Sequence, residues 1–410
     1  MNLETIRRKY AEVIVRTGVN LQEGQPLLIR TETGQRDFAR ILAREAYRRG
    51  ASMVQVKFHD PVLRRIRIDE SLKDGYLDFT PSHVPDMYDR YIEDGWCSVS
   101  LRGPQYPDVM EGADPDRVGR AGKALSLTMR RFLKGISANR IAWNVCLHPS
   151  REWSEKVLGH AGDDLEEDIW RVLVPILRLD APDPAEAWLK HDSELKRRCG
   201  YMNKRRFDRI HFVGPGTDLY VGMAPNRIFA GGRCRNSSGV DFFPNIPTEE
   251  IFSTPDHTRT CGEVRTTRPV EVLGTQVKGA WFRFDNGSVV DFGADENSDV
   301  LDRYLDFDAG ARALGEVALV GTESPIYQSG KIFHNILFDE NASSHIALGN
   351  GYADCIEGGT SMSDEQLKET RCNLSLVHTD FMIGSGEVSV YGVSSDGAES
   401  PIIENGKFVI

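Results

Sequence analysis

The sequence predicts an open α/β domain over residues 1–185, followed by a mainly antiparallel β (α+β) domain over residues 186–410. Three observations predict it. The opening segment alternates helical and strand periodicity in the order of a βαβ unit. The second half is a series of short apolar runs divided by Gly, Asn and Asp turns. A chain of 410 residues also exceeds what one hydrophobic core usually supports.

Residues 3–17 carry Ile6, Tyr10, Val13, Ile14 and Thr17 at helical spacing, and Gly18 stops the pattern. Pro26–Arg30 is a short apolar strand. Helical spacing returns over Arg36–Arg49 through Phe38, Ile41, Leu42 and Ala46, ends at Gly50, and leads into a second strand at Ser52–Phe58. Two more strands are predicted at Trp96–Leu101 and Ile141–Cys146, with a helix over Pro115–Leu133 between them. No Gly-rich phosphate fingerprint is present, because Gly119 and Gly122 lie inside a helical pattern and follow no strand; no nucleotide is assigned.

The run Asp180-Ala181-Pro182-Asp183-Pro184 breaks regular structure and sets the boundary near 185. Beyond it, strands are predicted at Arg209–Val213, Asp218–Met223, Ala280–Phe284, Val289–Phe292, Val317–Val320, Ser375–Ile383 and Val388–Val393, with a helix over Ser298–Leu314.

A formal net charge of −11 argues against a nucleic-acid or anionic-membrane partner, since such binding draws on a basic surface. No apolar run approaches the ~20 residues of a spanning helix, and Met1-Asn2-Leu3-Glu4 opens a charged amphipathic segment rather than a signal peptide. A cytoplasmic location is expected. Cys97, Cys146, Cys199, Cys234, Cys261, Cys355 and Cys372 are odd in number and form no C-x-x-C pair, as for reduced, structural thiols.

Four segments carry candidate chemistry. In Val377-His378-Thr379-Asp380 the side chains two apart share one face of a strand, so His378 and Asp380 project together, as metal ligands or as a hydrogen-bonded structural pair. Glu340 and His345, in Phe338-Asp339-Glu340-Asn341-Ala342-Ser343-Ser344-His345, share a face of neither a helix nor a strand, so a common site needs a turn between them. Pro247 and Pro255 forbid a continuous helix across Asn245–Pro255 and favour a rigid, extended loop. That loop suits the presentation of one carboxylate inward, Glu249 and Glu250 being too close in sequence for both to turn in easily; the alternative is a solvent-exposed acidic pair. Glu316, at the mouth of the apolar run Val317–Val320, requires a cation or a hydrogen-bond partner if buried.

Taken together, Asn-Ile-Pro-Thr-Glu-Glu-Ile-Phe, Leu-Gly-Glu-Val-Ala-Leu-Val, Phe-Asp-Glu-Asn-Ala-Ser-Ser-His-Ile-Ala-Leu-Gly and Val-His-Thr-Asp-Phe-Met-Ile-Gly, in this order, resemble the signature segments of the thermophilic aminopeptidases of the aminopeptidase T and aminopeptidase S type. The likeness runs from the opening helix to Glu404-Asn405-Gly406. It implies a dinuclear metal site of Glu250, Glu316, Glu340, His345, His378 and Asp380, holding two divalent ions (Zn, Co or Mn), with Tyr352 near the scissile carbonyl. The donor set is coherent electrostatically, because four carboxylates offset two divalent cations. It contains no thiolate that would favour copper or iron–sulfur chemistry.

The resemblance further implies hydrolysis of the N-terminal peptide bond of short peptides with a free N-terminus. Glu316, or failing it Glu340, takes the proton of the attacking water, and Tyr352 stabilises the oxyanion. A homodimer formed mainly through the C-terminal domain is also implied. Two alternatives stand beside this reading. A mononuclear-iron, ring-cleaving dioxygenase of the dihydroxypyridine type would leave Glu250, Glu316 and Glu340 surplus. A catalytically silent scaffold would be expected to have lost ligands, and none is missing.

Overall fold

A computed structural model describes residues 2–410 and is mixed α/β, with one parallel sheet and separate antiparallel sheets. The chain divides into two compact units, Met1–Leu189 with Arg233–Ile246, and Lys190–Gly232 with Pro247–Ile410. A single boundary near 185 does not anticipate the return of Arg233–Ile246 to the first unit.

In the first unit the strands run in the order Val54–His59, Leu27–Glu32, Cys97–Arg102, Trp143–Leu147 and Asn245–Ile246, every pairing being parallel. From Leu27–Glu32 the chain goes first to one side and then to the other, so the strand order reverses between Leu27–Glu32 and Cys97–Arg102. At such a reversal the loops leaving the two strands diverge and open a crevice at the carboxyl ends of the sheet. The expected helix Pro115–Leu133 is two helices, Pro115–Thr128 and Arg130–Ser137, because Met129 leaves the helical region at ψ 3°. The opening helix is α over Leu3–Val13 and a π turn over Ile14–Gly18.

The second unit holds an eight-stranded antiparallel sheet and a four-stranded one. The larger has the order Ser288–Gly293, Trp281–Asp285, Pro255–Arg265, Thr217–Met223, Arg209–Gly214, Ser389–Val393, Glu399–Glu404 and Lys407–Phe408. The smaller has the order Ile251–Ser253, Leu314–Leu319, His345–Gly349 and His378–Met382. Ile251, Val317, Leu319, Ile346, Leu348 and Phe381 of the smaller sheet join Phe212, Leu219 and Phe282 of the larger in one apolar core.

Several expected elements end elsewhere, each for a local reason. The Ser298–Leu314 helix stops at Leu305, because the Asp308 carboxylate accepts from the Gly310 and Ala311 amides and fixes a turn. The same carboxylate accepts from Leu376 N and Ser375 Oγ, so the expected Ser375–Ile383 strand begins only at His378. Asn245–Pro255 is not one extended loop: it supplies the strands Asn245–Ile246 and Ile251–Ser253, and Pro255 opens the next, a position where the missing N–H costs little. The break at Asp180–Pro184 is the start of a helix, Pro184–Arg205, with Asp183 accepting from the Ala185 and Glu186 amides and Pro184 in the first turn. No disulfide joins any of the seven cysteines, all of which are among the described residues.

Candidate metal centre

The site is built by strand register. Residues directly opposed in an antiparallel pair put their side chains on the same face. Glu316 is opposed to Ala347, and Ala347 to Asp380, so Glu316 and Asp380 stand on one face with only a methyl group between them. His345 lies two residues before Ala347, and His378 two before Asp380, which places both imidazoles on that face as well. The alternate residues, Val317, Ile346 and Phe381, point the other way into the core.

One irregularity sets this register. Leu314 pairs with Leu348, but Glu316 pairs with Ala347, so one extra residue is accommodated at Gly315. A Cβ there would lie 2.2 Å from the Asn350 carbonyl oxygen, which leaves glycine as the residue that fits.

Glu250, immediately before the edge strand Ile251–Ser253, supplies a carboxylate from the adjoining segment. Two donor triads result, Glu250–Glu316–His345 and Glu316–His378–Asp380, each with its ligand atoms within 4.8 Å of one another, and Glu316 belongs to both. His345 Nε2 lies 3.3 Å from Glu250, and His378 Nε2 lies 3.3 Å from Glu316 and 3.2 Å from Asp380. Each Nδ1 faces a backbone carbonyl, Ser343 O at 3.2 Å for His345 and Asn350 O at 2.7 Å for His378. A carbonyl can only accept, so each Nδ1 carries a hydrogen and each Nε2 is the nitrogen turned toward the carboxylates, the one that would bind a metal in the neutral ring.

Glu250, Glu316, His345 and Asp380 are all buried. Burial, then the neighbouring Asp380, raises the Glu316 carboxyl to about 7 against the pull of His378. Burial followed by Glu250 and Asp380 holds Glu340 well above the usual carboxylate range. Burial works against the His345 imidazolium, yet Glu250, Asp380 and Glu316 outweigh it and lift the ring to about 10. Burial also works against an ionised Asp380, but His378 and then His345 pull it below its ordinary value. So many carboxylates in one dry pocket are mutually repulsive unless cations join them. Buried oxygens of Glu250 and Asp380 accept no hydrogen bond, which the lone pairs of metal ligands would not need to do. The residues present thus fit a divalent metal centre.

All six sequence-derived ligand candidates lie in this neighbourhood. Glu340 stands outside the two triads but close enough to feel Glu250, Asp380, His345 and Glu316, and the turn that its pairing with His345 requires is the 3₁₀ segment Glu340–Ala342. The Tyr352 hydroxyl is 3.3 Å from His378 Nε2. Its backbone is clamped by Thr254, which donates to Tyr352 O and accepts from Tyr352 N, and its ring meets Phe252 edge-on at 5.6 Å. The expectation that only one of Glu249 and Glu250 turns inward is corrected: both are buried, with Glu249 3.4 Å from His191 and Glu250 against His345.

Sequence reasoning missed Asn341, a buried amide that accepts from Glu249 N and donates to Leu337 O and to Glu340 Oε1 at 3.3 Å. It also missed the small residues Ala318 and Ala347 on the ligand face; neither carries a signal outside the register itself. A cavity of about 390 Å³ opens beside His378 and Asp380, with Val270, Ile332, Ile336 and Met382 among its walls.

A buried cluster of carboxylates and imidazoles on a sheet face, beside an open cavity, is the site of a metal-dependent hydrolase. Comparison with known proteins gives the particular class. Residues 4–408 match the family model of the thermophilic metalloprotease (M29), and the chain belongs to that family. It is 38% identical to aminopeptidase T of Thermus aquaticus, over 98% of each chain, and 34% identical to aminopeptidase PepS of Streptococcus thermophilus, over 100% of this chain and 99% of the other. The solved structure of wild-type AmpT from Thermus thermophilus superposes with a TM-score of 0.93 at 36% identity, covering all of both chains. The chain is accordingly a metallo-aminopeptidase, a hydrolase, and the dioxygenase reading finds no support.

Proposed function

We propose that this enzyme removes the first residue from short peptides with a free N-terminus, using two divalent cations (Zn, Co or Mn) held by Glu250, Glu316, Glu340, His345, His378 and Asp380. The observation that carries the reading is Glu316, common to two donor triads in one buried site. When bound, the cations would supply Lewis acidity toward the carbonyl and lower the pKa of water.

The chain's own residues then have separable tasks. Glu316 first, Glu340 second, takes the proton of the attacking water and returns it to the leaving amine. The Asn350 and Ser343 carbonyls keep the His378 and His345 rings oriented. Tyr352 offers its hydroxyl to the oxyanion as a donor fixed in advance by the Thr254 clamp. The cavity beside His378 takes the peptide.

Two measurements test this. Dialysis against a chelator is expected to abolish release of free amino acids from aminoacyl-anilides and dipeptides, with Co, Zn or Mn restoring it. Retained activity in protein that elemental analysis shows to be metal-free would sink the proposal, as would equal cleavage of N-acetylated peptides. Tyr352→Phe is expected to lower kcat by ~10²-fold or more with metal content intact; an unchanged kcat would assign the oxyanion to another donor.

We also propose a cytoplasmic homodimer, on the strength of the family likeness. No helix among the described residues is long and apolar enough to cross a membrane. Light scattering of the purified protein checks the dimer, and a monomer at working concentration would count against it.

A further inference from the structure

Asn341 is fully buried, one residue after Glu340, and its side chain joins two stretches that are far apart in the sequence. The orientation of its amide is fixed from both ends. Glu249 N is a backbone donor and lies 2.7 Å from Oδ1, so this atom is the oxygen. Leu337 O is a backbone acceptor and lies 2.9 Å from Nδ2, so that atom is the nitrogen. The same NH₂ group donates its other hydrogen to Glu340 Oε1 at 3.3 Å. The main chain is held as well, because the buried Ser324 Oγ donates to Asn341 O at 2.8 Å.

Both stretches carry ligand candidates. Glu249 immediately precedes Glu250, whose carboxylate lies 3.3 Å from His345 Nε2 and completes the triad Glu250–Glu316–His345. Glu340 belongs to neither triad, and no strand pairing aims it: its 3₁₀ segment, Glu340–Ala342, lies between the helix Ile336–Asp339 and the strand His345–Gly349. The Asn341 NH₂ supplies the constraint that register gives Glu316 and Asp380. With Oε1 taken by that donor, Oε2 is the oxygen of Glu340 left to a cation. The other side of the site is oriented without Asn341, since strand pairing opposes Asp380 to Ala347 and the Asn350 carbonyl holds His378.

A hydrogen bond that orients a ligating carboxylate is worth about 10–100-fold in metal affinity. We infer that Asn341 is a positioning residue of the metal centre: by binding Glu340 and the Glu249 amide at once, it fixes the separation of Glu340 from Glu250. It thereby serves the cation on the Glu250–His345 side and not the one held by His378 and Asp380. The inference rests on the two-cation reading above. An amide that only capped the helix at Leu337 would stabilise the fold and treat the two cations alike.

The test is calorimetric titration of Co²⁺ into the full-length protein after removal of metal with a chelator. The wild type is expected to take up two ions; uptake of fewer would sink the two-cation reading itself, before any variant is made. Asn341→Ala is expected to weaken one ion by about tenfold or more and to leave the other in place. Two backgrounds identify which ion it is. Added to His378→Ala, Asn341→Ala is expected to weaken the remaining ion by that factor; added to His345→Ala, it is expected to change nothing. Asn341→Leu fills nearly the same volume without a hydrogen bond, so it gives the same selective loss where Asn341→Ala does not fold. Two results would overturn the inference: wild-type affinity for both ions, or both ions weakened equally in step with a lower Tm of the metal-free protein, the outcome of a purely structural role.

Discussion

Glu316→Gln is expected to lower kcat by about 10²–10⁴-fold and to reduce the bound metal, while the folded structure survives. The amide keeps the shape of the carboxylate, so the Gly315 bulge and the pairing with Ala347 are retained. Its NH₂ can also donate to His378 Nε2, which lies 3.3 Å from the present oxygen. What the amide cannot do is accept the water's proton or serve as an anionic donor to both triads. The informative comparison is Glu340→Gln, because Glu340 stands outside both triads. If kcat per metal-loaded site collapses in the Glu316 variant and only falls modestly in the Glu340 variant, Glu316 is the base. A wild-type rate in Glu316→Gln would remove it from the mechanism altogether, and metal analysis with thermal unfolding on the same sample separates lost chemistry from lost fold.

The two signals behind this prediction were unequally legible in the sequence. His378 and Asp380 are two apart in an apolar strand, and the period-2 rule places them on one face with no tertiary information. Glu316 was recognisable as a buried carboxylate in need of a partner, but which face it takes depends on the extra residue at Gly315, and a single glycine in an apolar run does not announce a bulge. In the sequence Glu249 and Glu250 compete for one inward position, since an extended backbone points neighbours to opposite sides. The structure gives each its own histidine, His191 and His345, the former from a helix that the sequence obscured because its start resembles a loop. The misplaced ends of the helix at Ser298 and the strand at His378 share a cause, the Asp308 carboxylate, which gathers amides from segments far apart in the chain. Local periodicity reports the core faces; capping and turn contacts between distant segments decide where the elements stop.

Ala347 gives the sharpest test of the register itself. It is fully buried between Glu316 and Asp380 on the ligand face, while its neighbour Ile346 points into the apolar core. Ala347→Val keeps a residue that strands favour and adds two methyl groups where the carboxylates converge. Displacing a catalytic group by about 1 Å can cost 10²-fold in rate, so a loss of about that size or more in kcat/KM is expected, together with weaker metal retention against a chelator. Overpacking of this kind costs about 1–3 kcal/mol of stability, which denaturant unfolding can read. Ile346→Val supplies the contrast: it is expected to cost about 0.5–1.5 kcal/mol of stability and to leave metal content and turnover alone. Full metal content and wild-type kcat/KM in Ala347→Val would mean that its side chain does not stand between the ligands, and the three-strand row on which the site is built would have to be abandoned.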